Sequence, residues 1–185
     1  MYHKSLVIEE DPLSSTAKFK AVIYGEMHTP AERLHVERLI REHHKQKPFH
    51  YLLSEELGPY RYRTPEEIRK AIKDKMYSIS DRSFHLALEL NMPVIGIDVW
   101  SSKIHRLDKK DERGFYTDCR ESFYQREMYM VDIIRRYKDH GRCAVIVGDS
   151  HLRLEANTVM GEASPISTSL GSDTLIIRSS NKEVK

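Results

Sequence analysis

The chain has 185 residues, of which 39% are hydrophobic and 31% charged, and its formal net charge is +2. These values predict one globular domain with its own apolar core, and they exclude disordered and collagen-like classes. The apolar runs are too short for a signal peptide or a membrane span. Two cysteines, Cys119 and Cys143, are too few for a disulfide framework, so we expect reduced thiols and a cytoplasmic protein. The nearly balanced charge disfavours a nucleic-acid-binding protein.

Four short apolar runs have the length of buried strands, and each ends at a polar residue or a glycine. They are residues 21–24, 51–53, 94–97 and 143–147. Segments 5–9 and 174–178 are predicted as further strands, the first as an antiparallel edge strand within an N-terminal strand and loop at 1–19. Residues 181–185 are predicted as a tail.

Helices are predicted between these strands. Thr29 is a candidate N-cap, with Pro30 at the first helical position, and Thr64 begins a second helix in the same way. The inner face of the first helix is predicted to contain Leu34, Val36, Leu39 and Ile40. A third helix follows residue 80 or 81, and a long one covers about 117 to 140. This alternation predicts a single α/β domain over 1–185, with a largely parallel central sheet flanked by helices. Residues 156–173 are predicted as a long loop that is either a lid or an ordinary surface segment.

Ionisable side chains follow every one of the four central strands. In a parallel sheet, ligands bind beyond the carboxyl ends of the strands, so these side chains are expected to converge. The candidates are Glu26 and His28 after the first strand, Glu55 and Glu56 after the second, Asp98 after the third, and Ser150 and His151 after the fourth.

Two chemistries fit this set of side chains. A divalent metal (Zn, Mn, Co or Fe) would take nitrogen from His28 and His151 and oxygen from one or two carboxylates, with Glu26, Glu55, Glu56 and Asp98 as the candidates. Without metal, a carboxylate would orient a histidine that removes a proton from water or a hydroxyl group.

Several familiar motifs are missing from the sequence. There is no GxGxxG dinucleotide fingerprint and no GxxxxGK[ST] phosphate loop. The GDSHL turn lacks the second glycine of GxSxG, which disfavours Ser150 as a nucleophile. The YRYR segment at 60–63 mixes aromatic and cationic side chains. It is interpreted either as an exposed loop or as a site for an anionic or aromatic ligand, in which Tyr60 and Arg63 would join Glu56 and Ser150 in binding substrate.

An ordered set of short motifs resembles the erythromycin-esterase, ChaN-like and Tiki/TraB superfamily over roughly residues 20 to 155. The motifs are GExH at Gly25, Glu26 and His28, the acidic turn at Glu55 and Glu56, PVIGID ending at Asp98, the helical Arg126, Glu127 and Met130, and GxxH at Gly148 and His151. The resemblance implies an α/β fold whose cleft is flanked by the two histidine motifs. It further implies that His28 is the general base that activates water, with Glu26 and His151 beside it, and that Arg126 steadies an oxyanion or a substrate carboxylate.

The superfamily does not imply one chemistry, so three functions remain open. Tiki-like members are metal-dependent and cleave peptides, whereas ChaN-like members are associated with haem or iron. The leading hypothesis is a small hydrolase that cleaves an ester, amide or related bond in a small molecule or peptide. The second is a binding protein for haem, iron or a small ligand, with haem less expected than a divalent metal. It would use the same cleft and residues as ligands, and Met27, Met76, Tyr60 and Tyr62 would matter more than a water-activating base. The third is an interaction module with a decayed site, acting through the basic residues at 103–113 and 135–136.

Overall fold

The computed structural model describes residues 6–8, 16–77, 80–99 and 102–178. Within these ranges the chain forms nine strands, several of them separated by helices. The strands are β1 Leu6–Ile8, β2 Ala21–Glu26, β3 Tyr51–Ser54, β4 Arg61–Tyr62, β5 Val94–Gly96, β6 Lys109–Lys110, β7 Tyr116–Asp118, β8 Cys143–Gly148 and β9 Thr174–Arg178. Seven of them form one sheet in the order β1-β9-β2-β8-β3-β5-β4, and β6 pairs with β7 in a separate two-stranded ribbon.

The predicted α/β class and largely parallel sheet are confirmed. Every neighbouring pair from β1 to β5 is parallel, and β4 alone among the described strands of this sheet runs antiparallel, beside β5. The edge strand predicted at 5–9 is present at Leu6–Ile8, but it is parallel to β9 rather than antiparallel. Residues 5 and 9 lie outside the described ranges. An edge strand carries no local mark of its direction, which depends on the neighbour that it meets.

Six helices connect the strands in the described part of the chain. They are α1 Pro30–Gln46, α2 Pro65–Lys73, α3 Arg82–Glu89, α4 Ser102–His105, α5 Arg120–Lys138 and α6 Pro165–Ser169. The predicted caps are confirmed, since the hydroxyl groups of Thr29 and Thr64 accept the backbone N–H of Glu32 and Glu67. The long helix begins at Arg120 rather than near 117, because β7 occupies the residues before it. None of these helices has the combination of length and hydropathy that crossing a bilayer requires.

Apolar side chains pack on both faces of the sheet. Val22 and Tyr24 belong to one cluster, whereas the alternate residues Ala21 and Ile23 belong to the other, as expected for a strand buried on both sides. The helix α1 covers the first cluster with residues such as Val36, Leu39 and Ile40. The prediction that Leu34 joins this face is wrong, because Leu34 is 67% exposed. It lies about 200° around the helix from Val36.

The segment 156–173 is a packed connection in its second half. Its helix α6 begins after Ser164, whose hydroxyl caps Ile166, and Ile166 is fully buried. Arg135 of α5 donates to the carbonyl of Ser169, and Lys138 forms an ion pair with Asp173. These contacts fix 164–173 against α5, so the prediction of one long loop is wrong there.

Candidate functional site

The carboxyl ends of three adjacent strands bring the predicted side chains together. Glu26 is the last residue of β2, Glu55 and Glu56 lie in a 3-10 turn directly after β3, and His151 lies in the turn after β8. The order β2-β8-β3 makes these strand ends neighbours. With the exception of the partly exposed His28, these side chains are at most 5% exposed.

His28 lies between two carboxylates. Its Nδ1 is 3.0 Å from Glu26 Oε1, and its Nε2 is 3.0 Å from Glu55 Oε1. The backbone of His28 has a φ of 59°, a left-handed conformation that side chains other than glycine rarely adopt. Such a conformation often marks a functional position. A Cβ at Gly148 would lie 2.8 Å from His28 Nε2 and 3.1 Å from Glu55 Oε1. Glycine is therefore required where β8 passes this pair.

His151 has a similar set of contacts from the other side of Glu55. Its Nδ1 lies 3.2 Å from Glu127 Oε1, and its Nε2 lies 3.7 Å from Glu55 Oε2. Arg153 binds both oxygens of Glu127, at 2.7 and 3.1 Å. We call Glu26, His28, Glu55, Glu127 and His151 the histidine cluster. Each histidine in it has Nδ1 beside one carboxylate and Nε2 facing Glu55, and such a carboxylate fixes the ring orientation and the tautomer.

The charge state of the histidine cluster follows from these contacts. Hydrogen bonds to Glu26 and then to Glu55 raise the pKa of His28 to about 10. Burial by itself would raise the pKa of Glu55, but the hydrogen bond from His28, the electrostatic interaction with the nearby His151 ring and the backbone N–H of Gly148 lower it to about 2. At neutral pH, His28 is therefore an imidazolium and Glu55 a carboxylate.

Arg82, at the first position of α3, connects the histidine cluster to Glu56. Its Nη2 donates to Glu26, and its Nε lies 2.9 and 3.1 Å from the two oxygens of Glu56. Ser83 Oγ is also 3.2 Å from Glu56. Burial raises the pKa of Glu56, and the charge of Arg82 opposes that rise. Buried carboxylates are costly unless they are paired, so Arg82 helps to stabilise both of them here, together with His28 beside Glu26 and Arg33, 3.7 Å from Glu56.

Three side chains lie close enough together to hold a metal ion, and they differ from the predicted ligands. Among the described residues, Glu26, His28 and Glu56 offer ligand atoms that all lie within 4.8 Å of one another. Glu26 Oε2 is buried and has no hydrogen-bond partner in the described part of the protein. Two carboxylates and an imidazole suit Zn, Mn, Fe or Co. The predicted ligands His151, Glu55 and Asp98 are not members of this set.

Asp98 and Arg126 bind each other. Arg126 Nε and Nη2 lie 2.9 and 2.8 Å from the two oxygens of Asp98, and both side chains are buried. This pairing does not support the two predicted roles, a metal ligand for Asp98 and an oxyanion contact for Arg126, and both stay predictions. The physical reason for the pairing is that a buried guanidinium and a buried carboxylate each need the other as a partner. Phe123 packs against both the Arg126 guanidinium and the His151 ring. The ion pair of Asp98 and Arg126 is therefore linked to the histidine cluster through Phe123.

The predicted substrate-binding residues do not all lie at the same end of the sheet. Glu56 lies beside Glu26 as expected, whereas Arg63 lines a cavity at the amino ends of the strands, because β4 carries the chain back antiparallel to β5. Tyr60 is 53% exposed, and Ser150 contacts Arg153 through its carbonyl oxygen. The prediction that these four side chains share one substrate site is wrong for Arg63. Tyr60, whose carbonyl accepts the N–H of Gly96, and Ser150, in the turn after β8, lie at the carboxyl ends of the strands as Glu56 does.

Three residues of the site were not predicted as functional: Arg82, Glu127 and Arg153. Glu127 could have been predicted from the sequence, because it follows Arg126 in one of the motifs on which the family resemblance depends. Arg82 and Arg153 had no such signal, since each is an isolated arginine at the start of a helix or after a turn.

The sequence matches no family model and no curated protein. A similar fold occurs in a solved structure described as that of bacterial protein toxins, with a TM-score of 0.52 and 17% identity. The match covers 86% of this chain but 34% of the toxin chain, so this chain spans about a third of that protein. At this identity the similarity establishes the α/β fold and carries no functional conclusion.

Proposed function

We propose that the protein is a hydrolase that activates water at the histidine cluster. The observation that carries the proposal is the matched placement of His28 and His151, which each have Nδ1 beside a carboxylate and Nε2 toward Glu55. Two oriented histidines at one strand edge supply a proton acceptor and a proton donor, which hydrolysis of an ester, amide or related bond requires. The ordered GExH and GxxH motifs agree with this assignment.

In this proposal the two histidines have different roles. His151, held by Glu127, accepts a proton from water through Nε2, and the resulting hydroxide attacks the carbonyl or phosphoryl centre. His28 is already an imidazolium, which suits it to stabilise the developing negative charge and to protonate the leaving group. The pKa of His28 thus favours an acid role over the base role that the family resemblance implies, because a general base must be unprotonated near the working pH.

A second candidate is a metal-dependent hydrolase. The buried and unpartnered Glu26 Oε2 fits a cation held by Glu26, His28 and Glu56. A divalent metal there would supply Lewis acidity and lower the pKa of a bound water. Arg82 contacts both carboxylates of this set, so it would have to share them with the cation.

The two non-catalytic hypotheses have weaker support. Tyr62, one of the proposed haem ligands, donates its hydroxyl to the carbonyl of Met76, and its ring packs on Phe84. An interaction module with a decayed site has no need to keep two histidines in contact with three buried carboxylates, since burying charge destabilises a fold.

The proposal is tested with a panel of chromogenic esters, phosphoesters and peptide amides, assayed with a chelator and then with Zn²⁺ or Mn²⁺. We expect His151→Ala to lower kcat/KM by about 10²- to 10⁴-fold, the usual contribution of a general acid or base. The matched control is His85→Ala, which removes an exposed histidine of α3. Elemental analysis and an absorption spectrum of the wild type and of a His28→Ala, His151→Ala double variant separate the metal and haem alternatives.

Full turnover by His151→Ala would contradict the histidine mechanism. Activity that requires added metal and is lost in Glu26→Gln would assign the metal-dependent form. A Soret band that depends on Tyr60 would support the haem-binding alternative instead.

A further inference from the structure

A second cavity opens at the end of the sheet opposite the histidine cluster. It has a volume of about 360 Å³ and is lined by Tyr51, Arg63, Pro93, Ile95, Arg136 and Tyr137. We call it the basic cavity. Tyr51 is the first residue of β3, whereas Glu55 follows its last residue. A strand of four residues spans about 13 Å, so the two sites are separate.

The floor of the basic cavity is apolar and aromatic. The rings of Tyr51 and Tyr137 meet edge to face with centroids 5.0 Å apart, and Ile95 is 2% exposed beneath them. Pro93 adds a rigid apolar side. Flat apolar surfaces beside aromatic rings favour a planar ligand group.

The rim of the basic cavity is cationic. Arg63 and Arg136 are exposed, and none of the described residues that line the cavity is acidic. His140 lies at the same rim. Its Nδ1 is hydrogen-bonded to the carbonyl oxygen of Arg136, so Nε2 is the ring nitrogen that is not part of this bond. The Arg61 guanidinium lies 6.0 Å from the Tyr137 ring centroid and adds a third arginine nearby. Guanidinium groups on two different elements are suited to bind one carboxylate or phosphoryl group from two sides.

The C-terminal end of α5 does not oppose an anion strongly here. The carbonyls of Arg136 and Tyr137 accept hydrogen bonds from His140 Nδ1 and from the N–H groups of His140 and Gly141. The partial negative charge of a helix end resides on such carbonyls, and these are already bonded.

We propose that the basic cavity binds a small aromatic anion, with its planar ring against Tyr51 and Tyr137 and its carboxylate or phosphoryl group between Arg63 and Arg136. The volume is within the range of small-ligand sites, and the lining combines apolar surface with a few convergent charges. Arg63 of the YRYR segment lines this cavity, and Arg61 lies near it. The sequence position of the segment had predicted a place at the other end of the sheet, beside the acidic turn.

The test is calorimetric titration of the full chain with phenylphosphonate, which contains no ester, amide or phosphoester bond for the proposed hydrolase to cleave. Methylphosphonate provides the anion without the ring, and benzyl alcohol provides the ring without the charge. We expect phenylphosphonate to bind about tenfold more tightly than either, and Arg63→Ala or Arg136→Ala to weaken its binding about tenfold. Benzoate is titrated in parallel: tighter benzoate binding assigns a carboxylate ligand, and tighter phenylphosphonate binding a phosphoryl ligand.

Two control variants distinguish this site from the others. Arg69→Ala removes an exposed arginine of α2 that contacts Glu66, and it should leave binding unchanged. His151→Ala should also leave it unchanged, whatever happens to hydrolysis. The proposal is overturned if neither phenylphosphonate nor benzoate binds at millimolar concentration, if methylphosphonate binds as tightly as phenylphosphonate, if Arg63→Ala and Arg136→Ala bind normally, or if His151→Ala loses binding.

Discussion

The charged side chains at the two ends of the central sheet differ in burial, since they are buried at one end and exposed at the other. At the carboxyl end, Glu26 and Glu56 are fully buried, and Arg82 pairs with both of them. At the amino end, Arg63 and Arg136 are exposed to solvent around a cavity whose described lining has no carboxylate. The same sheet therefore carries buried charges that are paired with one another at one end, and solvent-exposed arginines at the other.

Because of this difference, removing a charged side chain should affect stability differently at the two ends of the sheet. A buried charge depends on its partner, so removing one member of the network leaves the others desolvated and unpaired. A hydrated arginine can be removed without such a penalty, and its positive charge remains available for a ligand. Substitutions at the carboxyl end should thus lower stability, whereas those at the amino end should change binding alone.

The largest effect is expected for Arg82→Met. This substitution keeps an apolar side chain of similar length but leaves Glu26 and Glu56 buried without their shared cation. We expect the free energy of unfolding, measured with urea, to fall by about 3 to 5 kcal/mol, the usual result of breaking a buried ion pair.

Arg136→Met is the matched change at the amino end. It removes the same charge from an exposed position, so we expect the free energy of unfolding to change by no more than about 0.5 kcal/mol. Equal losses in the two variants would refute the contrast between the two sheet ends.

A smaller effect is expected for Gly148→Ala. The added Cβ would lie 2.8 Å from His28 Nε2 and 3.1 Å from Glu55 Oε1, so it must push these two groups apart. We expect a loss of about 1 to 3 kcal/mol, as for overpacking in a core, together with a lower pKa of His28 in an NMR titration. A variant with wild-type stability and an unchanged His28 titration would show that the close approach is not restrictive.

His28 should also add a pH dependence to the stability. Its folded pKa of about 10 lies above the unfolded value of about 6.5, so its stabilising contribution is complete below pH 6.5 and is lost as the pH rises toward 10. In chelator-treated protein, the stability advantage of the wild type over His28→Asn should therefore shrink between pH 6.5 and 10. Asparagine is chosen because it tolerates the left-handed backbone. An advantage that stays constant over this window would contradict the charged state of His28.

Sequence reasoning placed much of the site because one geometric rule applies to all parallel sheets. The ends of β2, β3 and β8 were recognisable from apolar runs, and the residues that follow them include Glu26, Glu55 and His151. Glu56 was placed in the same way. Since parallel strands share a direction, their carboxyl ends lie at the same edge of the sheet whatever the strand order.

The same rule failed where the chain reverses or where a contact comes from outside the strand ends. Arg63 follows the acidic turn closely in sequence, but antiparallel β4 carries it to the other end of the sheet. Arg82 lies 56 positions from Glu26 and 26 from Glu56, and nothing local marks it as their partner. Asp98 follows parallel strand β5 as predicted, yet Arg126 from α5 contacts both of its oxygens.

The sequence by itself determined the α/β class, the buried strands, the helix caps at Thr29 and Thr64, and the set of acids and histidines at one sheet edge. These features depend on periodicity, capping chemistry and chain direction, which are local properties. The tertiary structure alone decided which charges pair, because pairing depends on strand order and on the helices that cover each end. It therefore decided that Arg82 compensates Glu26 and Glu56, that Glu127 orients His151, and that Arg63 belongs to a separate cavity.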